Sequence, residues 1–129
     1  MIVVDASAIL EVLLQTPAAS RVSRRVFASG ESLHAPHLLD VEVAQVLRRY
    51  ARAGAITSGR GAEALTDLAD LPLHRYPHAV LLPRIWQWRH KFTAYDAAYI
   101  ALAEALGAPL LTRDRALASA GAHVHVELI

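Results

Sequence analysis

Residues 92–114, FTAYDAAYIALAEALGAPLLTRD, carry a helix, a turn and a strand in direct succession. The alanine-rich apolar run has helical composition, and Gly107 after it is a typical helix stop. The apolar stretch PLL at 109–111 then predicts a short buried strand. Acids bracket this unit, because Asp96 lies in the first turn of the helix and Asp114 follows the strand. A helix that leads into a buried strand is typical of the α/β class.

The rest of the chain repeats this alternation of strands and helices, which predicts a central, mostly parallel sheet. The N-terminal MIVVD reads as a strand rich in β-branched residues that ends in a carboxylate. HLLDVEVAQVLRRYARAG at 37–54 has apolar residues at helical spacing and ends in glycine. Further strands are predicted at 33–35, at 72–77 (a strand or an extended link) and at 123–129, and further helices at 6–15, 18–28, from 58 onward, 78–92, 93–106 and 115–119.

The composition predicts one globular domain that spans residues 1–129. Hydrophobic residues make up 54% and charged residues 19% of the chain, which excludes a disordered composition. A net charge of +1 provides no basic field that would bind nucleic acid by charge alone. The absence of cysteine excludes disulfides and zinc–thiolate sites. We expect a cytoplasmic protein, because no apolar run is long enough to span a bilayer and the N-terminal stretch lacks signal-peptide features.

Four acids fall where strands end or helices begin: Asp5, Glu42, Asp96 and Asp114. In parallel α/β sheets, ligands bind at the carboxyl ends of the strands, so acids at these positions can converge on one pocket. A carboxylate cluster without cysteine or a His–His pair has the oxygen chemistry that suits Mg²⁺ or Mn²⁺ better than zinc. Clustered carboxylates also repel one another, which raises at least one pKa unless a cation is bound.

Each acid also has a simpler structural reading. Asp5 could cap the helix that follows it, and Asp114 could be a turn residue or another cap. Asp96 stands three residues after Thr93, at the spacing of a capping box, and Glu42 could be an ordinary solvated residue on a helix surface. The simpler readings do not account for four acids at these positions together, so we expect them to form one site.

Four stretches of the sequence resemble the PIN-domain ribonucleases, and specifically the VapC-type toxins of bacterial toxin–antitoxin pairs. These are MIVVDASAIL, APHLLDVEVAQVLRR, TAYDAAYIALAEALGAPLLTRDRALA and the closing HVHV, while residues 55–89 match only in length and helical character. The resemblance implies a three-layer α/β/α PIN-like fold with a central, mostly parallel sheet. It also implies a set of catalytic, metal-binding acids and two supporting hydroxyls: Asp5, Glu42, Asp96 and Asp114, with Ser7 and Thr112.

The resemblance further implies an endoribonuclease that uses Mg²⁺ (or Mn²⁺) to hydrolyse phosphodiester bonds in tRNA, rRNA or mRNA. Arg113 and Arg115 flank Asp114 and are candidates for contacts with the RNA backbone, although both could equally be solvated side chains. The implied partners are a cognate VapB-like antitoxin that fills the acidic pocket and a second copy in a homodimer, with no membrane. The alternative is a catalytically silent PIN-like module that binds RNA or protein.

Two other readings have less support in the sequence. A phosphatase or phosphoacceptor domain would also place an acid like Asp5 after a strand, but DAS lacks a second Asp and the sole lysine, Lys91, does not follow a strand. His123 and His125 in a strand HVHV would project to one face, a geometry that zinc can use. No third zinc ligand is near them in sequence, so this site is disfavoured.

Overall fold

Five strands form one sheet in the part of the chain that this computed structural model describes, residues 1–119 and 123–129. The strands are β1 Ile2–Val4, β2 Leu33–Pro36, β3 Leu73–Tyr76, β4 Leu110–Thr112 and β5 Val126–Leu128. Their order in the sheet is β3-β2-β1-β4-β5, and each neighbouring pair is parallel. The predicted α/β class with a mostly parallel sheet is therefore confirmed.

Helices connect the strands and flank the sheet, which gives the expected α/β/α arrangement. The helices of the described residues are α1 Ala6–Leu13, α2 Ala19–Val26, α3 Leu38–Arg52, α4 Ser58–Asp70, α5 Leu82–Gln87, α6 Ala94–Leu106 and α7 Arg115–Ser119. Parallel strands need crossover connections, and two helices fill each of the first three, with α7 in the last. None of the helices in the described ranges is both long enough and apolar enough to cross a membrane.

The neighbouring strands β1 and β4 form the centre of the hydrophobic core, and both end at the same edge of the sheet. All three residues of β1 are fully buried, and so are Leu110 and Leu111 of β4. Such strands read as continuous apolar runs because both faces of the sheet are covered. Beside them, α6 is buried without interruption over 97–103, as expected for a helix that is apolar on all sides. Because Val4 pairs with Leu111, the carboxyl ends of β1 and β4 lie side by side.

Several element boundaries differ from the predicted ones. The helix predicted at 78–92 is limited to α5, with Pro83 in its first turn, where proline is tolerated. The closing strand begins at Val126 and not at His123, because it pairs with β4, which itself has three residues. β4 extends through Thr112, one residue further than predicted, and the segment between α4 and α5 does contain a strand, β3.

Candidate active site

Asp5 stands at the junction of β1 and α1, beside the end of β4. Its backbone N–H donates to the carbonyl of Leu111 at 3.3 Å, and the residue is 7% exposed. The carboxylate oxygen Oδ1 accepts the backbone N–H of Ala8 at 3.1 Å and thereby caps α1. The capping reading of Asp5 is thus correct, and the cap also fixes this carboxylate at the carboxyl edge of the sheet.

Two hydroxyls hold the Asp5 carboxylate, one on each oxygen. Ser7 Oγ donates to Oδ1 at 2.6 Å, and Thr112 Oγ1 donates to Oδ2. The same hydroxyls accept backbone N–H groups from the loop after β4. The N–H of Arg113 donates to Ser7 Oγ at 2.9 Å, and the N–H of Asp114 donates to Thr112 Oγ1 at 3.0 Å. The loop that carries Asp114 is therefore tied to Asp5 through Ser7 and Thr112.

Glu42 lies in the second turn of α3, which follows β2 at the same edge of the sheet. Its side chain is half-buried, and its Oε1 accepts a hydrogen bond from the Tyr99 hydroxyl at 2.5 Å. Tyr99 belongs to α6 and is 2% exposed. Tyr99 was not among the residues predicted from the sequence. A signal for it was present, because it is a phenol one helical turn after Asp96 within the stretch 97–103, which is otherwise aliphatic.

Asp96 and Asp114 differ in how their side chains are used. The hydroxyl of Thr93, and not an acid, caps α6 by accepting the backbone N–H of Asp96 at 3.2 Å. The half-buried Asp96 carboxylate is therefore not needed for that cap. Asp114 is exposed, and its Oδ1 accepts the N–H groups of Ala116 at 2.9 Å and Leu117 at 3.4 Å. The structural reading of Asp114 as a helix cap is correct.

Each of the four acids lies within electrostatic reach of two of the others. Burial is the main cause that raises the pKa of Asp5, and the negative charge of Asp114 raises it further. Burial also raises the pKa of Glu42, and the charges of Asp5 and Asp96 add to that rise. The pKa of Asp96 is raised by burial and then by the charge of Asp114. Ionising one acid thus makes another harder to ionise, and a bound cation would relieve this repulsion.

The donor chemistry of this edge fits a hard divalent cation. Carboxylates and hydroxyls surround it, and these are the ligands that Mg²⁺ and Mn²⁺ prefer. Among residues 1–119 and 123–129, no three His, Cys, Asp or Glu side chains stand close enough together to hold an ion as a group. Mg²⁺ typically binds one or two protein carboxylates and keeps several waters, so it does not need three such side chains in mutual contact.

A groove of about 600 Å³ opens beside Ser7 and Glu42, between α1 and α3. We call it the α1–α3 groove. Val41 and Tyr95 on its walls are strongly exposed, so apolar surface reaches the solvent next to the acids. Its apolar and aromatic lining includes Leu10, Leu38, Val41, Val46, Tyr50 and Tyr95.

The two arginines that flank Asp114 have different surroundings. Arg113 Nε pairs with Glu11 at 3.0 Å, and its Nη1 donates to the carbonyl of Ile129 at 2.9 Å. These internal contacts compete with any contact between Arg113 and an RNA phosphate. Arg115 is exposed at the start of α7, and no ion pair to it is found within the described residues. Of the two arginines, Arg113 is therefore engaged in contacts within the chain, whereas Arg115 is exposed.

The expected strand geometry of His123 and His125 is wrong. Both residues precede β5, so they do not share a face of that strand. The ring of His123 packs against Trp88, with ring centroids 4.9 Å apart, and His125 is exposed. The two histidines therefore do not have the shared strand face that zinc could use.

Comparison with known proteins identifies the family. A profile of the PIN domain matches residues 2–122. The chain belongs to the PIN-domain family. One relative in that family is Ribonuclease VapC12 from Mycobacterium tuberculosis, which is 41% identical over 130 residues, with 100% of this chain and 99% of the relative covered. The resemblance to VapC-type PIN domains that the motifs indicated is confirmed.

Two solved structures share the fold of this chain. VapC20 from Mycobacterium tuberculosis, a toxin that cleaves the sarcin–ricin loop, superposes with a TM-score of 0.71 at 17% identity, covering 94% of this chain and 95% of its own. VapBC2 from Rickettsia felis, bound to a DNA fragment from its promoter, gives a TM-score of 0.71 at 12% identity, with 98% of each chain covered. The likeness confirms the PIN-like α/β/α architecture.

Proposed function

We propose that this PIN-domain chain, as one domain spanning residues 1–129, is the endoribonuclease toxin of a type II toxin–antitoxin pair. The observation that supports this proposal most is a set of four acids at the carboxyl edge of a parallel sheet, each within electrostatic reach of two of the others. The name of a relative that is 41% identical over the whole chain, Ribonuclease VapC12, supports the same reaction. The reaction is hydrolysis of an RNA phosphodiester bond, and it requires no protein nucleophile.

Mg²⁺ or Mn²⁺ is the proposed cofactor. We assign Asp5 and Asp96 as direct ligands, and Glu42 and Asp114 as ligands that act directly or through water. When bound, the cation supplies charge neutralisation among the acids and Lewis-acid stabilisation of the negative charge on the scissile phosphate. The fit of the donor set supports this assignment, because the pKa values of Asp5, Glu42 and Asp96 are all raised, first by burial and then by neighbouring negative charges.

The chain's own residues prepare the site in advance of the reaction. Ser7 and Thr112 each donate to a different oxygen of Asp5, so this carboxylate keeps one orientation. Such outer hydrogen bonds hold a ligand in place and save the reorganisation that a mobile side chain would need. A pocket of unneutralised carboxylates would repel the RNA backbone, which gives a physical reason for metal dependence.

The proposed partners are RNA, a VapB-like antitoxin and a second copy of the chain. Arg115 is the favoured arginine for an RNA phosphate, because its side chain is exposed close to Asp114. The α1–α3 groove could take an apolar antitoxin segment along its walls and a cationic side chain at its acidic end. Leu82 and Trp86 on α5 are strongly exposed and are candidates for the homodimer contact.

A catalytically silent binding module is the second candidate. Asp5 caps α1 and Asp114 caps α7, so both acids have structural roles that need no cation. Asp96 distinguishes the two functions, because its carboxylate is not needed to cap α6. An essential role for Asp96 in cleavage therefore favours the nuclease.

The test is cleavage of purified total RNA in the presence of Mn²⁺ by antitoxin-free wild type, Asp96→Asn and Asp67→Asn. Asp67 is a matched control, because it is an exposed acid on α4, a helix without any of the four acids. We expect discrete cuts from wild type and Asp67→Asn, and none from Asp96→Asn or from wild type with EDTA. Folded wild type that binds RNA without cutting tRNA, rRNA or mRNA would favour the silent module.

A further inference from the structure

Tyr99 is a polar side chain placed in an apolar part of the interior. It is 2% exposed, and its neighbours on α6, from Ala97 to Ala103, are alanine, isoleucine and leucine residues that are also buried. A buried hydroxyl without a hydrogen-bond partner destabilises a protein. Phenylalanine would fill the same space without this requirement, so the hydroxyl calls for a specific explanation.

The hydroxyl of Tyr99 meets a carboxylate of the candidate site. It donates to Oε1 of Glu42 at 2.5 Å, the short distance expected when the acceptor is charged. Phenol has one O–H donor, so this bond engages Oε1 and leaves Oε2 available for another partner. Asp96 lies one helical turn before Tyr99, so α6 presents both a carboxylate and the hydroxyl that binds a second carboxylate.

The hydrogen bond from Tyr99 on α6 holds the Glu42 side chain of α3 away from solvent. A glutamate on a helix can turn its carboxylate to solvent, where it is well hydrated and free of like charges. Here the Glu42 side chain is half-buried, and its carboxylate is held against α6 at the Tyr99 hydroxyl instead of turning to solvent. The hydrogen bond from Tyr99 is the described contact that holds the carboxylate inward.

We propose that Tyr99 is a positioning residue of the cation site, whose hydroxyl keeps the Glu42 carboxylate turned toward Asp5 and Asp96. The inference rests on the proposed function, because it assigns Glu42 to the same cation. Tyr99 does not touch the ion and acts through Glu42. Hydrogen-bond partners of metal ligands typically change metal affinity about 10–100-fold when removed, and we expect Tyr99→Phe to weaken Mn²⁺ binding within that range.

The experiment is calorimetric titration of the isolated chain with Mn²⁺. Tyr99→Phe removes one oxygen and conserves the side-chain volume, so the variant should fold, which circular dichroism checks. Tyr76→Phe is the matched control, because the Tyr76 hydroxyl also has an internal partner, His34 Nδ1 at 2.7 Å, on strands that carry none of the four acids. We expect Tyr76→Phe to bind Mn²⁺ as wild type does and Tyr99→Phe to bind it about 10–100-fold more weakly.

A double-mutant cycle with Glu42→Gln separates positioning from a general structural effect. If Tyr99 acts through Glu42, then Tyr99→Phe should change Mn²⁺ affinity little in the Glu42→Gln background. An equal loss in both backgrounds, or unchanged affinity of the Tyr99→Phe single variant, would overturn the proposal. Absence of Mn²⁺ binding by folded wild type would instead overturn the cation site itself, and with it this role of Tyr99.

Discussion

Replacing Thr112 with valine should destabilise the metal-free protein by about 1–3.5 kcal/mol near neutral pH. Thr112 is fully buried, donates to Oδ2 of Asp5 and accepts the N–H of Asp114 at 3.0 Å. A hydrogen bond to a charged group contributes about 1.5–3 kcal/mol and a neutral one about 0.5–1.5 kcal/mol. The more apolar valine recovers about 1 kcal/mol through burial of the additional methyl group, which leaves the stated net loss.

The loss of stability should depend on pH in a direction that the Asp5 environment sets. The pKa of Asp5 is raised in the folded protein, mainly by burial, so the folded state binds this proton more readily than the unfolded state does. Stability from this group is therefore present at low pH and is lost as pH rises through the folded pKa. Valine removes a donor that favours the charged form, so the difference between variant and wild type should grow with pH.

Urea unfolding followed by tryptophan fluorescence measures this effect, with EDTA present, at about pH 4 and about pH 7. Thr66→Val is the matched control, because the Thr66 hydroxyl donates to the carbonyl of Ala62 at 3.2 Å on the exposed surface of α4. The control should change stability by less than about 0.5 kcal/mol. A Thr112→Val variant as stable as wild type, or a loss that is the same at both pH values, would refute this account of Asp5.

Three further predictions concern the metal, the surface ion pairs and the RNA contact. Mn²⁺ at about a hundred times its Kd should stabilise wild type by about 2.7 kcal/mol in thermal unfolding, whereas Asp96→Asn should lose that shift and be more stable than wild type without metal. Arg25→Met should lower the free energy of unfolding by about 1–2 kcal/mol at neutral pH, and Arg24→Met should lower it much less. The ion pairs of Glu31 with the N-terminal amine and Arg25 lower the pKa of Glu31 to about 2. Part of the difference between the two variants should therefore vanish as pH falls through that pKa. Arg115→Ala should raise KM for RNA severalfold in steady-state cleavage without changing kcat, and an unchanged KM would exclude the phosphate contact.

The position of Asp5 and Asp114 at one edge of the sheet could be predicted, because it depends only on the sequence of strands and helices along the chain. Each acid follows a buried strand, and parallel strands end at the same edge of the sheet. Because β1 and β4 are neighbours in the sheet, the two acids come together, and predicting this requires no information on side-chain contacts. The capping roles of the same residues were also visible, because an acid before a helix has a local partner in the next turn.

The contacts that the sequence could not reveal join residues distant along the chain. The hydrogen bond from Tyr99 to Glu42 links α6 to α3, and nothing in either helix alone specifies the other as its partner. The same is true of Arg113, whose neighbours Asp114 and Arg115 suggest an RNA contact while the fold pairs it with Glu11. Side-chain partners of this kind depend on how helices pack against the sheet, which periodicity does not encode.

The decisive measurement is a crystal structure of the antitoxin-free protein with Mn²⁺, with anomalous scattering recorded for manganese. We expect an anomalous peak at the carboxyl edge of the sheet, with oxygens of Asp5 and Asp96 at about 2.0–2.3 Å from the ion, and with Glu42 still accepting a hydrogen bond from the Tyr99 hydroxyl. The absence of a peak there at saturating Mn²⁺, or a peak bound only by residues outside the four acids, would contradict this expectation.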